Sequence, residues 1–214
     1  MAEPDVEVLT VGHSTLSYES FVALLRRASI TAIADVRTVP YSRHSAHFNK
    51  ETLCEELRLD GIAYAFLGDE LGGRPKDARL FCDGVADYEK MAATSEFARG
   101  LDRVIEGTKK YHIAMMCSEH DPLDCHRCLL VGRALHEKGI IVRHILSNGL
   151  ISDHSKIEAR LIQMSKSSAA DLFETPENRL AAAYRSRARK VAFSQRQTPD
   201  QRKDITRRNS IGNG

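Results

Sequence analysis

Hydrophobic and polar positions follow two rhythms along the chain, one of period two and one of about 3.6 residues. Val6–Val11 alternates and is rich in β-branched residues, which predicts a strand, and Gly12-His13-Ser14 breaks it. Phe21, Leu24, Leu25 and Ala28 then recur at helical spacing, predicting a helix over Tyr18–Ser29 capped by Ser17. Thr31–Val36 reads as a second strand ending at Asp35-Val36-Arg37, and Pro40 holds Val39–Ser42 in a loop. Asn49 opens a helix through Leu59 that Asp60-Gly61 stops. Ile62–Leu67 is a third strand, followed by a loop over Gly68–Pro75. Val85–Lys90 reads as a short helix and Ser95–Thr108 as a longer one. His112–Cys117 is almost continuously apolar, as a strand buried on both faces should be. A helix over Cys125–Lys138, closed by Gly139, precedes a fifth strand at Ile140–Leu146 and a turn at Asn148-Gly149. Helices are expected at His154–Gln163 and Glu177–Ala192, and disorder at Thr198–Gly214, where apolar residues are scarce.

Strands that alternate with helices pair in parallel through right-handed crossovers. The expected architecture is an α/β three-layer sandwich with a mostly parallel sheet of about five strands and a helical C-terminal extension. One domain is expected over residues 1–192, with a basic tail over 193–214.

Charge is unevenly distributed. The stretch from Ala181 onward holds nine Lys/Arg and two Asp/Glu, while residues 1–180 hold 22 basic and 27 acidic residues. An acidic body with a basic tail admits nucleic acid or an acidic partner at that end. No apolar run approaches the roughly 18 residues of a membrane span, and the start Met-Ala-Glu-Pro-Asp has no signal-peptide character. A cytoplasmic setting without membrane association is expected. There the five cysteines are reduced thiols and not a disulfide framework.

Chemistry concentrates at strand ends. The loops after the first four strands carry Gly12-His13-Ser14, Asp35-Val36-Arg37, Leu71-Gly72-Gly73 and the run from Cys117 to Arg127. In a parallel sheet these loops gather at one edge, where ligands bind. The last run admits three readings. As a nucleophile, Cys117 would need an anion cradle, yet Arg127 lies ten residues on with Glu119, Asp121 and Asp124 between, so phosphatase or sulfurtransferase chemistry fits poorly. As a metal site, Cys117, Cys125 and His126 supply soft ligands for zinc or iron. As an acid–base site, Glu119 or Asp35 is the proton-transfer group, with His126 and His13 orienting or shuttling protons. Arg37 and Arg127 would bind the anion of a small phosphate-bearing or nucleotide-like substrate, or of a nucleic acid, with Ser14, Gly72 and Gly73 beside it. The alternatives are a thiol- or metal-based sensor without turnover, and a nucleic-acid-associated adaptor acting through its tail.

Taken in order, Thr10-Val11-Gly12-His13-Ser14, Asp35-Val36-Arg37, Leu67-Gly68 with Leu71-Gly72-Gly73, and Cys117-x-Glu119-x5-Cys125-His126-Arg127 resemble the DUF488 family. The resemblance runs over roughly residues 5–190, including Leu172-Phe173 and the Tyr184–Ala192 helix. It implies the α/β fold and these site positions, and it supplies no reaction.

Overall fold

A computed structural model describes residues 6–165 and 175–195. Leu172-Phe173 and residues 196–214, which include the stretch expected to be disordered and most of the basic tail, lie outside the described residues.

The chain begins with β1 (Glu7–Gly12), α1 (Tyr18–Arg27), β2 (Ala32–Asp35), α2 (Lys50–Leu59) and β3 (Ala63–Phe66). There follow α3 (Gly68–Leu71), a hairpin of β4 (Phe81–Cys82) and β5 (Val85–Ala86), then α4 (Tyr88–Ala92) and α5 (Ser95–Thr108). Next come β6 (Ile113–Cys117), a π-helical segment (Arg127–Gly132) running into α6 (Arg133–Glu137), β7 (Ile141–Ile145), β8 (Ile151–Asp153), α7 (His154–Met164) and α8 (Pro176–Val191). The main sheet has six strands in the order β3-β2-β6-β1-β7-β8. All pairs are parallel except β7–β8.

Period-two alternation builds two cores. Leu9 and Val11 of β1, with Ala114 and Met116 of β6, face α1 and α2 through Phe21, Leu25, Leu53 and Leu57. Val8, Met115 and Cys117 face the opposite layer, formed by α4, α5, the π segment, α7 and α8. Three layers result, with the all-buried β6 at the middle of the sheet. Among the described residues, no helix is long and apolar enough to cross a membrane.

Three expectations are corrected. The sheet gains a sixth strand, β8, which is only three residues long and runs antiparallel to β7. The helix expected from Val85 starts at Tyr88, because Asp83 (φ 53°) and Gly84 (φ 78°) turn the chain back as a hairpin loop and Val85 pairs with Cys82. The helix expected over Cys125–Lys138 is the π segment running into α6, and a 3-10 turn at Pro122–Asp124 precedes it. Cys125 itself is extended, and His126 caps the π segment. In addition, α3 occupies the start of the loop expected at Gly68–Pro75.

Candidate metal centre and its cleft

Insertion of β6 between β2 and β1 makes the site. Backbone bonds continue past the strand ends: His13 N donates to Cys117 O (3.0 Å), Ser14 N to Ser118 O (2.9 Å) and Val36 N to Met116 O (3.1 Å). These bonds fix the loops after β1, β2 and β6 side by side at the carboxyl edge, where open α/β sheets form crevices.

At that edge Cys117, Glu119, Cys125 and His126 each present one donor atom, and the four atoms lie within 4.8 Å of one another. Both thiols sit 2.9 Å from Glu119 Oε2. His126 Nδ1 lies 3.7 Å from Cys117 Sγ and 3.8 Å from Cys125 Sγ. A tetrahedral ion, with metal–sulfur at about 2.3 Å and metal–nitrogen at about 2.0 Å, sets sulfur and nitrogen about 3.6 Å apart. The other ring nitrogen, Nε2, donates to Val36 O at 2.8 Å. That bond orients the ring and leaves Nδ1 facing the thiols, the arrangement that prepares a histidine to ligate.

Electrostatics support an anionic centre. The Arg127 guanidinium is fully buried and has no carboxylate partner among the described residues; it donates to Glu119 O (2.7 Å) and His120 O (3.2 Å). A buried cation needs a counter-charge, and the thiols are what it faces. Burial raises the pKa of both thiols, but for Cys125 the Cys117 hydrogen bond, Arg127 and His126 outweigh it and hold the thiol well below its ordinary value. Cys117 is pushed well up, by burial and then by its bond to Cys125. Burial would lower His126, but the Cys125 charge and hydrogen bond raise it. Burial, then Cys125, raises Glu119.

Among the loop carboxylates only Glu119 faces the thiols. Asp121 pairs with Arg160 and caps the 3-10 turn at Leu123 N (2.8 Å), and Asp124 pairs with Arg187. The cleft in front of the centre has a volume of about 220 Å³. Arg37, Gly73, Arg74 and Tyr88 line it, and Val191–Phe193 close one side. Beyond α8 the chain is tied down by Phe193 O, which accepts from Ala86 N (2.9 Å), and by Gln195 N, which donates to Gly84 O (2.9 Å).

The structure sorts the residues expected from sequence. It brings Cys117, Glu119, Cys125 and His126 together, with Arg37 and Gly73 on the cleft wall. A Cβ on Gly73 would lie 2.8 Å from His126 Cγ, so the glycine makes room for the ligand ring. Gly72 instead packs on Gly68 O and Thr38, and it lies outside the cleft lining. Asp35 does not fit a general base. Its carboxylate accepts Arg37 N (3.1 Å), Nε (2.9 Å) and Nη2 (2.7 Å) and Tyr64 OH (2.7 Å), and it is fully buried. Arg127 lies behind the cleft and binds loop carbonyls, not a substrate anion. His13 stacks on Phe48 (4.1 Å) and contacts Arg37 Nη1 at 3.3 Å through Nε2; Ser14 adjoins it, and neither lines the cleft.

Sequence reasoning missed Tyr88 and Arg74. The Tyr88 phenol feels the charges of Cys125, Cys117 and Glu119, and burial, then those charges, push its pKa far up. Its hydroxyl has no hydrogen-bond partner among the described residues, and it lies on the cleft wall as a donor for a ligand. Arg74 crosses the mouth with its guanidinium 5.2 Å from the Phe193 ring. Arg74 directly follows Gly73 in a loop that the sequence marks, whereas Tyr88 adjoins no strand end that periodicity marks.

No curated protein and no solved structure matches the chain. The family model described as "Domain of unknown function DUF488" matches residues 17–134, more than half of the chain and across the whole Cys117–Arg127 loop, so the chain belongs to the DUF488 family.

Proposed function

We propose that this protein is a zinc-dependent hydrolytic enzyme acting on a small phosphate-bearing or nucleotide-like anion. Cys117, Cys125 and His126 are the ligands and Glu119 is the proton-transfer group. One observation carries the reading: three soft donors and a carboxylate converge within 4.8 Å, with His126 already anchored through its outer nitrogen. Two thiolates and an imidazole suit zinc, and three protein ligands leave the fourth position open to solvent from the cleft.

Cys117, Cys125 and His126 would hold the ion, which would supply Lewis acidity for activating water. Glu119, beside both thiols and with a raised pKa, would serve as the group that takes and returns a proton. Tyr88 offers a phenolic hydrogen bond to the substrate. Arg74 at the mouth supplies positive charge for an anion, while the Arg37 guanidinium on the wall is already neutralised by Asp35. One histidine, two cysteines and a free glutamate serve hydrolytic deamination of nucleobases on other folds; the parallel is one of chemistry alone.

A second reading has its own observation. Without an ion, Cys125, whose thiol pKa is lowered, lies 3.8 Å from His126 Nδ1, whose ring pKa is raised, a pairing that suits a thiol sensor. Elemental analysis of the full-length protein separates the two. The enzyme reading expects zinc that is lost in Cys117→Ser and Cys125→Ser, and release of phosphate or ammonia from a panel of nucleotides and phosphate monoesters. Zinc without turnover of any panel member keeps the metal centre and removes the hydrolytic reading, whereas a metal-free folded protein favours the thiol sensor. A folded protein with no metal dependent on Cys117 and Cys125 overturns the centre.

A further inference from the structure

A second cluster lies in the core, and none of its donors lines the cleft. Cys128 on the π segment, His144 on β7 and His154 at the start of α7 present one sulfur and two nitrogens within 4.8 Å of one another. All three are at most 1% exposed. The Cys128 thiol has no hydrogen-bond partner among the described residues.

The outer ring nitrogens are held by oxygen. His144 Nδ1 lies 2.8 Å from Thr10 Oγ1, and His154 Nε2 lies 3.0 Å from Tyr184 OH. Tyr184 in turn donates to Glu158 Oε1 at 2.9 Å. A hydroxyl that gives its proton to a carboxylate accepts from the imidazole, so Nε2 of His154 carries the hydrogen and Nδ1 is the lone pair. That lone pair accepts from His144 Nε2, 2.9 Å away, so an ion bound here would take the place of this hydrogen bond, with the His144 proton moving to the Nδ1 that faces Thr10. The layout is a histidine–tyrosine–carboxylate outer shell around an inward donor, the same logic that Val36 O imposes on His126. Two nitrogens on one tetrahedral ion stand about 3.3 Å apart, so a ring shift of about 0.4 Å opens the gap.

We propose that Cys128, His144 and His154 form a second metal site for a thiophilic divalent ion, zinc by its donor set, which pins the π segment, β7 and α7 together. The site does not depend on the function assigned to the cleft. Its three ligands sit on three different elements, so an ion there crosslinks the layer that carries His126 and Arg127 to the far half of the sheet. The Glu158 carboxylate at the end of the shell offsets part of the added charge.

The test is zinc content by mass spectrometry of full-length protein expressed in zinc-supplemented minimal medium. Wild type should carry about two zinc ions per chain, and Cys128→Ala about one, with a lower melting temperature. Cys117→Ser/Cys125→Ser should keep about one, which Cys128→Ala then removes. A Cys128→Ala protein with the same zinc content as wild type overturns the proposal, whether or not the double variant folds. Zinc that is indifferent to Cys117 and Cys125 but lost with Cys128 leaves this site standing and refutes the cleft centre instead.

Discussion

At the scale of single residues, the chain sorts its carboxylates by what each one touches. Asp35 is saturated by Arg37 and Tyr64, and Asp121 and Asp124 are paired with Arg160 and Arg187, which leaves Glu119 against the thiols. Glu119→Gln keeps the shape and removes the base. Turnover of whichever panel substrate is found should fall by roughly 10²–10⁴, while zinc content and melting temperature stay near wild type; a large stability loss would mark Glu119 as structural. Arg127 gives the opposite profile. It is a buried cation whose donors satisfy two loop carbonyls and whose charge offsets the thiolate. Arg127→Met strands both, and removing one partner of such a buried arrangement costs about 3–5 kcal/mol. The urea midpoint of the metal-free variant should fall accordingly, and an unchanged midpoint would show that the guanidinium balances nothing. Sequence spacing alone placed Arg127 with the anion binders, because periodicity does not report which face of a helix start turns into the core.

At the scale of elements, glycines mark where loops must meet. A Cβ on Gly12 would stand 2.0 Å from Glu119 O, a backbone clash with the loop that carries the candidate base. On Gly73 it would press on the His126 ring, 2.8 Å from Cγ. Gly12→Ala should therefore prevent folding to a soluble product. Gly73→Ala should fold but tilt the ligand ring, weakening zinc about 10–100-fold as other outer-shell disturbances do; competition with a chromogenic chelator measures this. The five parallel strands and α1, α2, α5, α7 and α8 were legible because their apolar periods are long and uninterrupted. Two smaller elements were not. β8 has only Ile151-Ser152-Asp153 to announce it, too short for a period of two to register. The β4–β5 hairpin was announced by Asp83-Gly84, a turn signal overridden by the helical spacing that starts just beyond it. The π segment is buried on every side, so its apolar run reads as an ordinary helix and nothing in the pattern reports the wider turn. The cluster of Cys117, Glu119, Cys125 and His126 was legible as a set because all four fall within one loop; Tyr88 reaches it only through tertiary packing.

At the scale of the whole molecule, three interior histidines, His13, His144 and His154, are held in the neutral form, and this sets how the fold responds to acid. Burial, then Arg37, lowers His13 from its ordinary 6.5 to about 4. Burial, then His136, lowers His154 to about 4, and burial, then His154, holds His144 well below 6.5. Above pH 6.5 both native and unfolded chains carry these rings neutral, and they have no effect on stability. As pH falls from 6.5 toward 4 the unfolded chain takes up protons that the native chain refuses, so stability drops through that window. Each of His13 and His154 is worth roughly 3 kcal/mol by pH 4, and two such terms are a large part of the 5–15 kcal/mol that holds a typical domain folded. Glu119 and His126 work the other way: their raised pKa values make the native state the stronger proton binder, but they are two groups against three. The urea midpoint of chelator-treated protein should therefore fall steadily between pH 7 and pH 4.5. His13→Gln, which removes the ionisable ring at a site that stacks on Phe48, should flatten the slope while lowering the midpoint at pH 7. A midpoint that holds constant across this range would mean that the buried rings accept protons in the folded state, and the neutral interior described here would be wrong.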